Sequence, residues 1–238
     1  MTIADELQVS VIVPVFNGAA TLGDAIESIR AQDVSVEIIV VDDGSTDDTP
    51  RFIEALTDIV AIRQDNLGPA AARNSGLVFA RAPLIAFLDD DDLWTPRKLQ
   101  HQLQLLEEHP SAAVVLGHTA FAGLDPNTGA WTSVAEPHLL YHLGASLCRR
   151  EAFDRIGTFD PALRSSEDVD WFLRVRDAGL QIVVTPEIAQ IHRRNGENMT
   201  RGKDLRELGF IEVVKRSLDR RRAQGATNLS RAAARDLR

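Results

Sequence analysis

Leu84-Ile-Ala-Phe-Leu-Asp-Asp-Asp-Asp92 is an apolar run that stops at four consecutive carboxylates. Five apolar residues without polar alternation read as a strand buried on both faces, the kind that parallel sheets use. Carboxylates this close raise one another's pKa unless a cation or hydrogen-bond donors sit among them. Hard oxygen donors suit Mg²⁺ or Mn²⁺, which commonly complete their shell with substrate phosphates. An isolated acidic cluster is more often a solvated turn that caps the next helix, here near Pro96. Position at the end of a buried strand favours the metal.

The same alternation repeats upstream. Val9–Val15 is rich in β-branched residues and runs into Asn17-Gly18, so it reads as a buried strand followed by a turn. Leu22, Ala25, Ile26 and Ile29 recur at helical spacing, and Glu37-Ile-Ile-Val-Val41 is a second buried strand ending at Asp42-Asp43-Gly44-Ser45. Helices are expected over 52–56 and 70–80, with a strand over 59–62. This order predicts an α/β fold with a Rossmann-like, mostly parallel sheet flanked by helices. Ligands bind such sheets outside the carboxyl ends of the strands. Three of those ends carry Pro14-Val-Phe-Asn17, Asp42-Asp43 and the aspartates at 89–92.

Downstream, a helix over 98–108 and a strand over 112–116 follow the pattern, which then loosens around the turn signal Asp125-Pro-Asn-Thr-Gly129. Helical spacing returns over 167–178, a strand pair is expected at 182–184 and 188–192, and an amphipathic helix at 205–222. The tail from Gly225 is expected to fray. These breaks suggest a nucleotide-binding half over 1–116, a second, less regular half of the same domain over 117–204, and a C-terminal helix and tail over 205–238.

Bulk properties narrow the function. With 238 residues and 44% hydrophobic content the chain can bury a full core. Its 35 acidic against 26 basic residues give a net charge of -9, which would repel a nucleic-acid backbone. The single Cys148 leaves no disulfide framework or thiolate cluster and suits a reducing compartment such as the cytoplasm. No segment approaches the roughly 20 apolar residues of a membrane span, which leaves peripheral membrane contact open.

Several residues are candidates for chemistry. An ionised Asp43 is acceptor-only, which suits the imide N–H of a uracil ring; Asp47, just before a helix, reads as a cap. Glu167-Asp168 starts a helix with Trp171, Phe172 and Val175 on its inward side. That placement suits a helix cap and equally a fixed general base. His192-Arg193-Arg194 follows a short strand, where His can bind a metal and Arg can fork onto phosphate. His138 and His142 have the i, i+4 spacing of a zinc pair, but no glutamate follows the first histidine, so they are discounted.

Taken together, Val9-Ser-Val-Ile-Val-Pro-Val-Phe-Asn17, Val40-Val-Asp-Asp-Gly-Ser-Thr-Asp47, Asn66-Leu-Gly68 with Ala72-Arg-Asn74, Phe87-Leu-Asp-Asp-Asp-Asp-Leu-Trp94, Ile156-Gly-Thr-Phe-Asp160 and Ser166-Glu-Asp-Val-Asp-Trp-Phe-Leu-Arg174 resemble the family-two inverting glycosyltransferases of the GT-A fold. The ordered motifs span roughly residues 9 to 195. The resemblance implies that Pro14 and Phe16 border the nucleoside, Asp43 holds uracil, and Arg73 lies near the base or diphosphate. Asp89 would face ribose or metal and Asp91 the metal, with Asp90 and Glu167 completing the nucleotide-sugar set. The family has a small residue where this chain has Asp90, so which of residues 89–92 touch the metal stays open. Asp168 matches the base, and His192 resembles a residue that completes the metal shell in some relatives.

These correspondences imply a Mn²⁺- or Mg²⁺-dependent transfer from a nucleotide-sugar donor, a UDP-sugar, to a glycan, lipid-linked sugar, peptide or small-molecule hydroxyl. Residues 117–150 and 193–204 would shape the acceptor side. A phosphatase with an Asp-x-Asp nucleophile is disfavoured because it usually carries that element near its first strand, and a sugar nucleotidyltransferase because no early glycine-rich phosphate loop is present. A glycosyltransferase-like scaffold that turns nothing over is the non-enzymatic alternative.

Overall fold

Strand β1 (Val9–Val15) is buried at every position. Its side chains alternate between two cores: Ile12 enters one, and Val9, Val11, Val13 and Val15 enter the other. That two-sided burial explains the unbroken apolar sequence. The computed structural model describes residues 7–126, 128–163, 165–194, 204 and 208–235, the stretch 224–235 for its backbone.

Helix α1 (Leu22–Arg30) buries the four residues whose spacing predicted it, Leu22, Ala25, Ile26 and Ile29. Strand β2 (Val36–Asp42), helix α2 (Thr49–Glu54), strand β3 (Ile59–Arg63), helix α3 (Pro69–Phe79) and strand β4 (Leu84–Phe87) continue the alternation. Strands β3, β2, β1 and β4 lie side by side and parallel, in that order. Helices α1 and α2 cover one face; α3 covers the other. Gly76 of α3 lies so close to β1 that an added Cβ would stand 2.4 Å from Ile12 Cγ2.

Strand β5 (Leu93–Trp94) and helix α4 (Lys98–Glu108) lead into strand β6 (Ala112–Leu124), which is far longer than the expected 112–116. The expected boundary at 116/117 therefore falls inside a strand, and the two halves share it. Strand β7 (Trp131–Leu139) returns along β6, with Gly129 at φ +67° in the intervening turn. A 3₁₀ turn (Leu143–Ala145) precedes strand β8 (Ser146–Arg149), helix α5 (Arg150–Ile156) and helix α6 (Glu167–Asp177).

Strand β9 (Gln181–Arg194) replaces the expected strand pair with one continuous strand. Leu116 pairs with Val184 and His118 with Ile188, so β9 bulges over Thr185-Pro186-Glu187. Proline cannot donate to a ladder, which explains why the sequence suggested a break and why the strand accommodates it as a bulge. Among the described residues the sheet has nine strands, parallel through β3-β2-β1-β4 and mixed through β8-β6-β9-β5, with β7 on β6.

Helix α7 (Phe210–Arg235) passes through Gly225 without ending there; residues 205–207 of the expected helix lie outside the described residues. It packs on α6, where the buried Asp177 accepts from Ser217 Oγ at 2.8 Å and pairs with Arg220 and Arg221 at 3.1 and 2.9 Å. Among the described residues no helix is long and apolar enough to cross a membrane.

Candidate active site

The turns after β1 and β2 are stitched together. Asn17, at φ 55°, accepts the Thr46 N–H at 2.8 Å, while its own N–H donates to Ser45 Oγ at 2.9 Å. Asn tolerates this left-handed backbone better than most residues. Gly18 then passes against the acidic run: an added Cβ would meet Asp90 Oδ2 at 2.1 Å. Thr21 Oγ1 donates to the same oxygen at 3.1 Å.

Arg73, carried by α3 and buried, joins two chain segments far apart in sequence. Its Nη2 pairs with Asp89 Oδ1 at 2.6 Å just beyond β4, and its Nη1 pairs with Glu167 at the start of α6. The adjacent Asp168 is half-buried, its Oδ1 accepting the Val169 N–H at 2.7 Å. The resemblance implies Arg73 near the base or diphosphate; in the structure two of its nitrogens are held by carboxylates.

Asp92 is fully buried and holds β9 at its own edge. It accepts the Arg193 N–H at 2.9 Å and Gln190 Nε2, and lies 3.0 Å from His192 Nδ1. Arg193 reaches back from β9, donating to the Asp91 carbonyl through Nε and pairing with Asp24 at 2.7 Å. His142, just before the 3₁₀ turn, brings Nε2 to 3.9 Å from Asp89 Oδ2, and its ring lies 5.8 Å from that of His192. Asp92, His142 and His192 each offer a ligand atom, all within 4.8 Å of one another. Among the described residues the buried His142 Nδ1 has no hydrogen-bond partner.

His142 thus joins the cluster although spacing arguments discounted it. Its pairing with His138 presupposed a helix, but His138 is in β7, stacked on Phe121 with ring centres 4.8 Å apart. The usable signal was weaker: a histidine immediately before a turn that leads back into the sheet.

The electrostatics follow from this crowding. Burial, then the charges of Asp91 and Asp89, pushes Asp90 up to about 8. Burial, then Asp92 and Asp89, pushes Asp91 up to about 7. Burial would also raise Asp89, but Arg73, His142 and His192 outweigh it and hold that carboxyl below its ordinary value. Burial would lower His192, but the hydrogen bond and charge of Asp92 raise it. Burial and the neighbouring Glu167 carry Asp168 up to about 6 against the opposing pull of His142 and Arg73. Oxygen and imidazole donors gathered around mutually repelling carboxylates fit a divalent cation.

Asp43 lies at the next strand end. Its carboxylate accepts from Gln64 Nε2 at 2.7 Å and from the N–H groups of Leu67 and Gly68 at 3.0 and 2.8 Å. It therefore fixes the loop that starts α3, and through α3 it positions Arg73. Pro14 is buried within β1, whereas Phe16 is 48% exposed just past its end. Asp89, Arg73, Glu167, Asp168, His142, His192 and Asp92 form one connected group; Asp43 and Phe16 lie just past the ends of β2 and β1 in the same sheet. Asp47, expected to cap α2, stands one residue before the N-cap Asp48 and accepts the Thr49 N–H at 3.0 Å.

Residues 10–169 match the model for glycosyl transferase family 2. An uncharacterized glycosyltransferase of Rickettsia prowazekii is 30% identical over 183 residues, covering 69% of this chain and 57% of that protein. The minor teichoic acid biosynthesis protein GgaA of Bacillus subtilis is 28% identical over 186 residues, 68% of this chain and 42% of that protein. The chain spans between 19% and 58% of the length of the curated relatives it matches. Among solved structures, S. aureus TarS 1-349 in complex with UDP-GlcNAc superposes with a TM-score of 0.72 at 23% identity, covering 90% of this chain and 66% of that one.

Proposed function

Because this chain belongs to glycosyl transferase family 2 and has its GT-A fold, we propose that it transfers a sugar from a UDP-sugar to an acceptor hydroxyl by one inverting displacement. The observation that carries the reading is Arg73, which ties the carboxylate run after β4 to the Glu167-Asp168 pair of α6. A donor end and a base end thereby share one buried guanidinium.

In this reading residues 1–116 bind the donor, 117–204 supply the acceptor side and the base, and β6 belongs to both. Of the acceptor-side stretch 193–204, only 193, 194 and 204 lie among the described residues. Pro14 shapes the end of β1, Phe16 borders the nucleoside, and Asp43 faces uracil. A carboxylate has about four lone-pair sites, so Asp43 retains capacity beyond its three loop donors. The TarS structures with UDP and with UDP-GlcNAc support a uridine donor for a similar fold.

Asp91 and His192 would hold Mn²⁺ or Mg²⁺, with Asp89, Asp90 and His142 beside them. Asp92, hydrogen-bonded to His192 Nδ1, leaves Nε2 as the ligating atom, the usual arrangement for a metal-binding histidine. A cation bound there supplies charge stabilisation to the departing diphosphate.

Asp168 takes the acceptor proton as the acceptor oxygen bonds to the anomeric carbon. The bond from that carbon to the diphosphate breaks in the same step, and its electron pair leaves with UDP. No sugar is attached to the protein along the way. Glu167 holds Arg73, which in turn keeps Asp89 ionised and oriented. The reading places the reaction in the cytoplasm, in keeping with the single free, buried Cys148.

The test is a panel of nucleotide sugars scored by thermal shift and donor hydrolysis with Mn²⁺, Mg²⁺ or chelator, because a ligand of the folded state raises its apparent stability. UDP-sugars are expected to stabilise the chain only with metal, and Asp91→Asn to lose both stabilisation and turnover. Equal stabilisation with chelator, or stabilisation by other nucleotides alone, would defeat the reading.

A further inference from the structure

The chain has one tyrosine, Tyr141, and it stands next to His142. Its ring stacks on Phe172, with centres 5.3 Å apart and planes 28° from parallel. Phe172 is itself buried and braced by Trp171 in an edge contact, ring centres 5.4 Å apart. Phe172 sits four residues after Asp168 on α6, hence one turn along the same face of the helix. Tyr141 is nevertheless 38% exposed.

A large aromatic ring left open to solvent, rigidly backed and one turn from the base, is a surface on which something flat can rest. Its surroundings restrict what. Leu139 and Leu140 are exposed beside it, and residues 134–142 contain no lysine or arginine, so a phosphate group finds no permanently charged side chain on this segment. A pyranose presents an apolar C–H face ringed by hydroxyls. The face matches an aromatic ring, and a rim hydroxyl can reach a carboxylate one helical turn away.

We propose that Tyr141 is a stacking platform for a pyranose ring of the acceptor, which makes the acceptor a saccharide. This rests on the reading of Asp168 as the base. The ring is what matters, so phenylalanine should replace it and alanine should not.

The lone tyrosine permits a direct test. The 238-residue chain carrying ring-¹³C tyrosine, with UDP and Mg²⁺, gives one tyrosine spin system to follow by NMR. It is titrated separately with methyl hexopyranosides of the gluco, galacto and N-acetyl series, with glycerol phosphate, and with a serine peptide. At least one pyranoside should shift the signal saturably and receive saturation transfer on its C–H face. Aromatic contacts of this kind correspond to a roughly three- to tenfold affinity loss for Tyr141→Ala, with Tyr141→Phe near wild type.

A shift with the peptide or glycerol phosphate only, no shift with any probe, or unchanged pyranoside affinity in a Tyr141→Ala chain with a normal melting curve would each overturn the proposal. Donor hydrolysis by the wild-type chain is scored separately. Its absence would count against the proposed transfer, whereas the stacking is judged by the tyrosine signal alone.

Discussion

Asp168 must be ionised to accept a proton, yet burial and Glu167 carry its pKa up to about 6. Transfer should therefore fall as pH drops through 6, approaching tenfold per pH unit below it, and level off above about 7. The pH profile of kcat with saturating donor and metal checks this; a flat profile between 5 and 7 would contradict it. Asp168→Asn should lower kcat by roughly 10²- to 10⁴-fold and leave metal-dependent UDP affinity in place. Asp90 and Asp91 behave differently. With pKa values pushed up to about 8 and about 7, both are partly protonated at pH 7, and a cation among them favours the charged forms. Adding Mg²⁺ at pH 7 should release protons, and the release should fade by pH 9, where both are already ionised. Calorimetry in two buffers of unlike ionisation enthalpy measures it. At this scale the carboxylates were legible because buried strands ended on them. His142 was not, because it stands just before a 3₁₀ turn rather than in a helix, and neither was the pairing of Arg73 with Asp89 and Glu167, because those carboxylates are distant in sequence.

Elements with clean periodicity matched their expected ends. Strand β1 and helix α4 fall where the sequence put them, and α1 buries the four predicted residues. Strands β6 and β9 were harder to read. β6 turns from fully to partly buried beyond Leu116, β9 mixes buried and exposed positions, and the bulge at Thr185-Pro186-Glu187 broke the pattern that would have shown one long strand. Close packing between elements was also invisible in the sequence. Gly76→Ala would force a methyl against Ile12 at 2.4 Å, so α3 must shift from β1. Overpacking of this kind typically costs about 1–3 kcal/mol, and the loss should appear as a lower urea midpoint with an unchanged slope. Because α3 also carries Arg73, this variant should lose some activity along with stability. A midpoint equal to wild type would show that the helix can move freely.

The whole molecule is one sheet whose parallel part presents the β1, β2 and β4 ends, and whose mixed part brings His192 and Asp92 to the same rim. Sequence alternation predicted the first part and the carboxylates at its strand ends. It could not predict that β6, by pairing with both β8 and β9, would carry the second half round to face the first. Side chains just past β4, in β9 and on α6 are expected to gather around one cation and one diphosphate. Anomalous scattering from crystals grown with Mn²⁺ and UDP locates that cation. One manganese peak should be bonded to Asp91, His192 and diphosphate oxygens, with Asp168 across the cavity from the nucleotide. A manganese peak elsewhere, or UDP bound away from residues 89–92, would contradict this arrangement.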